Sequence, residues 1–439
     1  MRLSKMAILP AKRSPVPSSG PPVSSPNAEA IVPGTEPSMA SFEAEATAVL
    51  GRLRESVSAL LACASGPTGK CTEVQESFGI DPKLAWQVFR LASAEHPLAA
   101  GAFVPARISM ERLLRSAGRR RMSAQVIAGV EEAFGDFERF VAAHAGERET
   151  LDAMLGAFLP EMQEKQDLAR RELVFRGMSQ IRGVTIEAEV STYFLAPSSQ
   201  QDRADYVQLS YMSGIRRFHP LAHAAFGSGD FANTDDNRLT LDGVKADGPQ
   251  DTLLPEFCLT PLPKHEQVVF DPHMAYIIAS RGLGLQSAVD LARCEYRPGA
   301  VRRYKGPDER THVGIGNLMG VPVKRLIMTV LIHKDLFPDS HAEIRVYDNS
   351  PRGYVTMFGD PKRERDRLRF NGAFQAIPGG LPCATVKFLP QYQQMLQHVC
   401  AKRDWEAGAF RGYRLDVQFP LYGGIYLVGI RLPDPPRAD

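Results

Sequence analysis

The sequence predicts an α+β protein: an all-helical N-terminal domain with a helix-turn-helix, a long connecting helix, then a β-rich C-terminal region with room for two related lobes. Three observations predict this. From Ser41 to about Arg182, apolar residues recur at steps of three and four, the signature of buried helical faces. Beyond Gly183, short segments rich in β-branched and aromatic residues are punctuated by Gly, Pro and Asp, as strands are. Within that region, two stretches starting at Gly177 and Gly314 run alike.

The bounds agree with this class. A chain of 439 residues has length for about three domains. Apolar residues make up 44% and charged residues 23%, an ordinary globular balance. The net charge of +2 excludes a chain-wide basic field for nucleic acid, so any such contact must come from a local patch. The longest apolar run, "RLIMTVLIHKD" from Arg325, is strand-sized, and no run reaches the ~18–20 residues that span a bilayer. No membrane partner is expected. Six cysteines (Cys63, Cys71, Cys258, Cys294, Cys383 and Cys400) lie scattered with no C-x-x-C pair, which argues against a zinc ribbon or disulfide scaffold. A reducing cytoplasm follows as the expected location.

Residues 1–40, as in "SPVPSSGPPVSSP", carry too little apolar material to offset chain entropy, and a disordered tail is expected. Met39 sits where order should begin and could be the true start. Residues 41–158 form the helical domain. Leu50, Leu53, Val57, Leu60 and Leu61 line one face of its first helix. Later helices are read in "SMERLLRSAGRRR", with Ser109 as N-cap, in "SAQVIAGVEEAFGDFERFVAAHAG" and in "ERETLDAMLGAFL". Residues 159–182, "EMQEKQDLARRELVFRGMSQI" at their heart, are a charged connecting helix. Residues 183–310 and 311–439 are the two β-rich lobes, with a helix from Pro390 in the second. Their likeness rests on Gly177 with Gly314, Gly183 with Gly320, Ile186 with Val323, Val190 with Ile327, and Thr192 with Thr329.

"SGPTGKCTEVQESFGIDPKLAWQVF", Ser65 to Phe89, carries the functional case. Its first half imitates a phosphate loop, with Gly69 and Lys70 in place. The leading glycine is Ala64, the hydroxyl position is Cys71, and no strand precedes it, so a turn between helices is the better reading. Its second half fits a helix-turn-helix. Val74 and Phe78 stand four apart on one helix, and Gly79 suits a turn with positive φ. Ile80 points back to the core, Asp81 caps the next helix, and Pro82 opens it. Ala85, Val88 and Leu91, with Leu84, bury that second helix.

"TEVQESFGIDPKLAWQVFRL" resembles the helix-turn-helix of winged-helix bacterial transcription regulators. Val74, Phe78, Gly79, Ile80, Ala85 and Val88 fall at the family's buried or turn positions, while Gln75 stands where the family often has alanine. The resemblance covers about Leu50 to Ala99. It implies that the second helix enters the major groove of double-stranded DNA. Its outward residues would be Lys83, Trp86, Gln87 and Arg90. Lys83 and Arg90 suit phosphates or guanine edges, and Gln87 has the paired donor and acceptor an adenine needs. Trp86 suits either exposure or packing on a neighbouring helix. Arg112, Arg115 and Arg119 share a helical face just downstream and could supply phosphate contacts, or form a solvated basic helix end. "AFVPARIS" from Ala102 is the extended stretch available for a wing.

Other motifs fall short. His219 and His223 stand four apart, but Pro220 holds the place of a metalloprotease glutamate, and nothing fixes His265 and His273 beside them. "GDFANTDDNR" from Gly229 misses the oxygen-ligand spacing of a calcium loop. "GIGNLMG" lacks the dinucleotide spacing. No metal, cofactor or catalytic residue is expected. The resulting expectation is a non-enzymatic DNA-binding regulator, a homodimer because one weakly charged module binds DNA feebly alone. The β-rich region would sense a small-molecule effector or mediate assembly. The same helices also fit a scaffold protein that never touches DNA, and an enzyme assembled from distant residues is a third reading.

Overall fold

The computed structural model describes residues 39–65, 70–222, 224–229, 238–247, 249–259, 264–269, 274–279, 282–308 and 310–436. The expected tail and His223, His273 and most of the Gly229 loop lie outside these. The chain forms two compact units, Met1–Phe158 and Leu159–Asp439. No helix among the described residues is long and apolar enough to cross a membrane.

The first unit is helical: α1 (Met39–Ser65), α2 (Cys71–Phe78), α3 (Pro82–Ala92), α4 (Pro97–Ala100), α5 (Arg107–Arg119), α6 (Ala124–His144) and α7 (Arg148–Gly156). The three-and-four spacing in α1 does what it predicts: Ala46, Leu50, Leu53, Val57 and Leu60 are wholly buried. α6 answers with Val130, Phe137 and Phe140, and Phe42 stacks on Phe140 at 5.5 Å. Helix α5 starts two residues before the Ser109 cap read from the sequence, with Ala106 at its N-cap. Among the described residues this unit contains no strand, and the stretch offered above as a wing begins in a 3₁₀ turn, Gly101–Phe103, and ends in the first turn of α5.

The second unit begins with α8 (Pro160–Arg182), which Gly183 ends in the left-handed region. Fifteen strands follow among the described residues: β1 (Val184–Thr185), β2 (Ala188–Pro197), β3 (Arg203–Arg217), β4 (Ala224–Gly229), β5 (Leu239–Thr240), β6 (Lys264–Val269), β7 (Met274–Ala279), β8 (Val289–Arg302), β9 (His312–Leu318), β10 (Arg325–His333), β11 (Ala342–Asp348), β12 (Arg367–Leu368), β13 (Gln375–Ile377), β14 (Phe410–Gln418) and β15 (Gly424–Arg431). Helix α9 (Tyr392–Arg403) precedes β14.

The large sheet runs β13-β14-β10-β2-β3-β8-β5, with β1 beside β3. A four-stranded sheet runs β12-β11-β15-β9, and β4-β7-β6 make a third. Strand alternation explains the layering. Tyr193, Leu195, Met328 and Val330 face the four-stranded sheet, meeting Val346, Tyr426 and Val428. Val190, Phe194, Ile327 and Leu331 face the other way, under Tyr392, Met395, Leu396 and Val399 of α9. Each large apolar side chain so buried contributes about 1.5–3 kcal/mol.

The division into lobes at 310/311 does not separate two sheets. Strand β10 from the second half lies between β14 and β2, pairing with β2 in parallel. The register puts Val190 against Ile327 and Thr192 against Thr329, and Ile186 bridges Val323. These are the residue pairs that made the two stretches look alike. The likeness therefore belongs to two adjacent strands. It ends there, since Gly177 lies in α8 while Gly314 lies in β9. Their sequels differ as well, β3 joining the large sheet and β11 the four-stranded one.

Candidate nucleic-acid interface

Helix α2 starts with the Lys70 amide donating to the Glu73 carboxylate at 2.9 Å. It buries Val74 and Phe78, and ends at Gly79 with φ 60° and ψ 39°. The Gly79 and Ile80 amides both return to the Gln75 carbonyl, at 2.8 and 3.3 Å. A Cβ at Gly79 would pay the left-handed strain and meet Arg120 Nη2 at 3.3 Å. Asp81 then caps α3, its Oδ1 accepting from the Leu84 amide at 3.0 Å, with Pro82 at the first turn. That donated amide holds the Asp81 carboxyl below the usual carboxylate range, with help from Arg112. Leu84, Ala85, Val88 and Leu91 bury the inner face of α3.

Helix α5 and its C-cap residue, Arg120, brace this corner with three side chains spaced four residues apart. Arg112 pairs with Asp81, the Ser116 hydroxyl donates to the Phe78 carbonyl, and Arg120 donates to the Glu76 carbonyl at 3.0 Å. The last two satisfy carbonyls that the end of α2 leaves without helical partners.

The outer face of α3 carries Lys83, Trp86, Gln87 and Arg90. Lys83, Trp86 and Arg90 are exposed and Gln87 is partly buried. Trp86, 49% exposed, meets the Phe103 ring edge-on at 5.5 Å. The Arg90 guanidinium lies 4.9 Å over the same ring. Lys83, Gln87 and Arg90 thus stand together. Arg112 is drawn to the cap of α3 by Asp81, so it serves the corner. Arg115 and Arg119 are exposed on α5. Arg115 donates to the Glu111 carbonyl at 3.3 Å and lines a groove of about 780 Å³ between α5 and α6, floored by Met110, Leu114 and Phe134. Phe103, Ser116 and Arg120 were not singled out as site residues. Ser116 and Phe78 lie 38 residues apart, and no local pattern marks such a contact.

The sheet unit holds two polar clusters with no sequence signature. Glu295, 3% exposed, faces the guanidiniums of Arg297, Arg293 and Arg238 at 2.9, 3.5 and 3.7 Å. Burial alone would raise this carboxyl, but the three cations outweigh it and hold it low. Glu189 accepts from Asn317 Nδ2 at 3.0 Å and from Ser191 at 3.3 Å, and burial raises it despite these donors. His219 lies in a turn after β3 and its Nδ1 accepts from the Leu221 amide at 3.2 Å. Among the described residues no group of three or more His, Cys, Asp or Glu gathers as a metal cage would need.

No family model matches the chain, and no curated protein does. Among solved structures, a crystal structure of a chain named as a candidate protease from Parabacteroides distasonis aligns at 8% identity over 57% of this chain and 41% of that one. Its TM-score is 0.24, too low to carry an inference about fold or activity.

Proposed function

We propose that this protein binds DNA through the outer face of α3, as a transcriptional regulator whose sheet-rich unit senses an effector or mediates assembly. One observation carries the reading: a capped, glycine-turned and three-point-braced helix corner presents Lys83, Gln87 and Arg90 in one outward row. A braced corner loses little further freedom on binding, so its contacts are not offset by ordering costs. In this reading α3 lies in the major groove, and two copies meet half-sites one helical turn apart. Arg115 and Arg119 add phosphate contacts without reading bases.

The test is fluorescence anisotropy with labelled duplex at low and high salt, on the full chain and on a Lys83→Ala, Gln87→Ala, Arg90→Ala variant. The reading expects salt-dependent binding that the variant loses with its melting temperature unchanged. Absent binding, or binding indifferent to salt or to the three substitutions, refutes it. A second reading has its own support. Arg112 is held by Asp81 and Arg90 lies over Phe103, leaving fewer ready cations around an exposed indole, a surface that suits a protein partner.

A further inference from the structure

The α3 row contains one residue that a base-paired groove uses poorly. Trp86 lies one turn beyond Lys83 and one turn before Arg90, so it occupies the middle of the row. In a paired duplex the faces of the bases are stacked on one another and only their edges reach the groove. An indole offers those edges a single N–H donor and a large apolar area. An unpaired base offers the complement, an open π-face.

The geometry around Trp86 suits that partner. The indole and Phe103 planes meet at 85°, 5.5 Å between centroids, and a perpendicular contact covers at most one indole face. Half of the residue's surface is open. Phe103 is tied to the row a second time by Arg90 above its ring. Both side chains are therefore held in place before anything binds, with a cation one turn away on either side for the flanking phosphates.

We propose that Trp86, backed by Phe103 and flanked by Lys83 and Arg90, is a stacking platform for an unpaired nucleobase. The nucleic acid held tightest is then a single strand or a duplex opened at its target. This rests on the reading above only in that the α3 row binds nucleic acid, and it puts an unpaired base where that reading puts a paired major groove. Alanine scanning of base–aromatic contacts gives about 1–3 kcal/mol per base, which is about 5- to 150-fold in affinity.

The chain has two tryptophans, Trp86 and Trp405, so a Trp405→Phe variant reports on Trp86 alone. It is titrated with a thymidine homopolymer strand, a uridine homopolymer strand and a mixed-sequence duplex. The proposal expects quenching by a strand that binds tighter than the duplex. Trp86→Ala, followed by anisotropy, weakens strand binding at least about fivefold with duplex binding little changed, and Trp86→Phe recovers most of the loss. Tighter binding of the uridine strand supports the platform and assigns it to RNA. A duplex that outbinds both strands, or strand affinity indifferent to Trp86→Ala, overturns the platform and leaves the nucleic-acid reading standing. Failure of all three probes to bind overturns both readings.

Discussion

Replacing Gly79 tests whether the α2–α3 corner is held as described. The residue sits at φ 60°, where an L side chain costs about 1–2 kcal/mol. A Cβ there also reaches Arg120 Nη2 at 3.3 Å, and that guanidinium is the one bonded to the Glu76 carbonyl. Gly79→Ala should therefore lose the backbone term and disturb one of the three braces. With a urea slope of about 2 kcal/mol/M, the midpoint of the helical unit should fall by about 0.5–1 M. Gly79→Asn should lose less than half as much, because asparagine tolerates the left-handed region. The assay is urea unfolding followed by Trp86 fluorescence in a Trp405→Phe background, which isolates this unit's signal. A Gly79→Ala protein as stable as its parent, or an asparagine variant no better than alanine, would refute the account of the turn.

Two further outcomes follow from the sheet unit. Burial holds the Glu189 carboxyl above its ordinary value, so the folded state binds its proton more tightly than the unfolded chain does. Stability from this site is then full at low pH and falls as pH rises from the unfolded value, about 4.3, through the folded one. Glu189→Gln removes that fall, so its urea midpoint relative to the parent should climb with pH over this window, and parallel curves would count against the assignment. Arg363 and Asp366 are both 8% exposed, paired at 2.6 Å, and Arg363 also donates to the Gly353 carbonyl at 2.9 Å. Arg363→Ala leaves the buried Asp366 carboxylate only Arg352, at 3.3 Å, and removes the donor to the Gly353 carbonyl. It should cost about 1–3 kcal/mol and open residues 349–366 to protease, with Lys in between. Cleavage as slow as the parent's would contradict that role.

Sequence and structure agree most closely where the determinants are local. The α1 stripe, the Gly79 turn, the Asp81 cap and Pro82 are set by neighbours within one or two turns, and each appears as its residue type requires. The helix after Pro390 is of the same kind. What was not legible depends on distant partners. Arg112 on a bare helix reads as a free cation, and only the fold brings Asp81 to it across 31 residues. Phe103 looked like part of an extended stretch, because a short 3₁₀ turn leaves no periodicity to detect. The likeness of the stretches at Gly177 and Gly314 was real in its strand residues. It was read as two lobes because sequence alone cannot tell a duplicated body from two strands needing the same two-sided burial. A parallel strand buried on both faces demands one apolar pattern wherever it occurs. The Glu189 and Glu295 clusters draw on residues up to 128 positions apart and leave no motif at all.

The parallel seam between β2 and β10 joins residues 137 positions apart. As the chain leaves the ribosome at about 5–20 residues per second, β2 and β3 wait about 7–27 s for that neighbour. Meanwhile β2 exposes a raw edge with apolar residues on both faces, a template for any stray strand. Until β10 arrives, the greatest hazard to this protein is another unfinished copy of itself, so its yield should depend on how fast and how crowded its synthesis is.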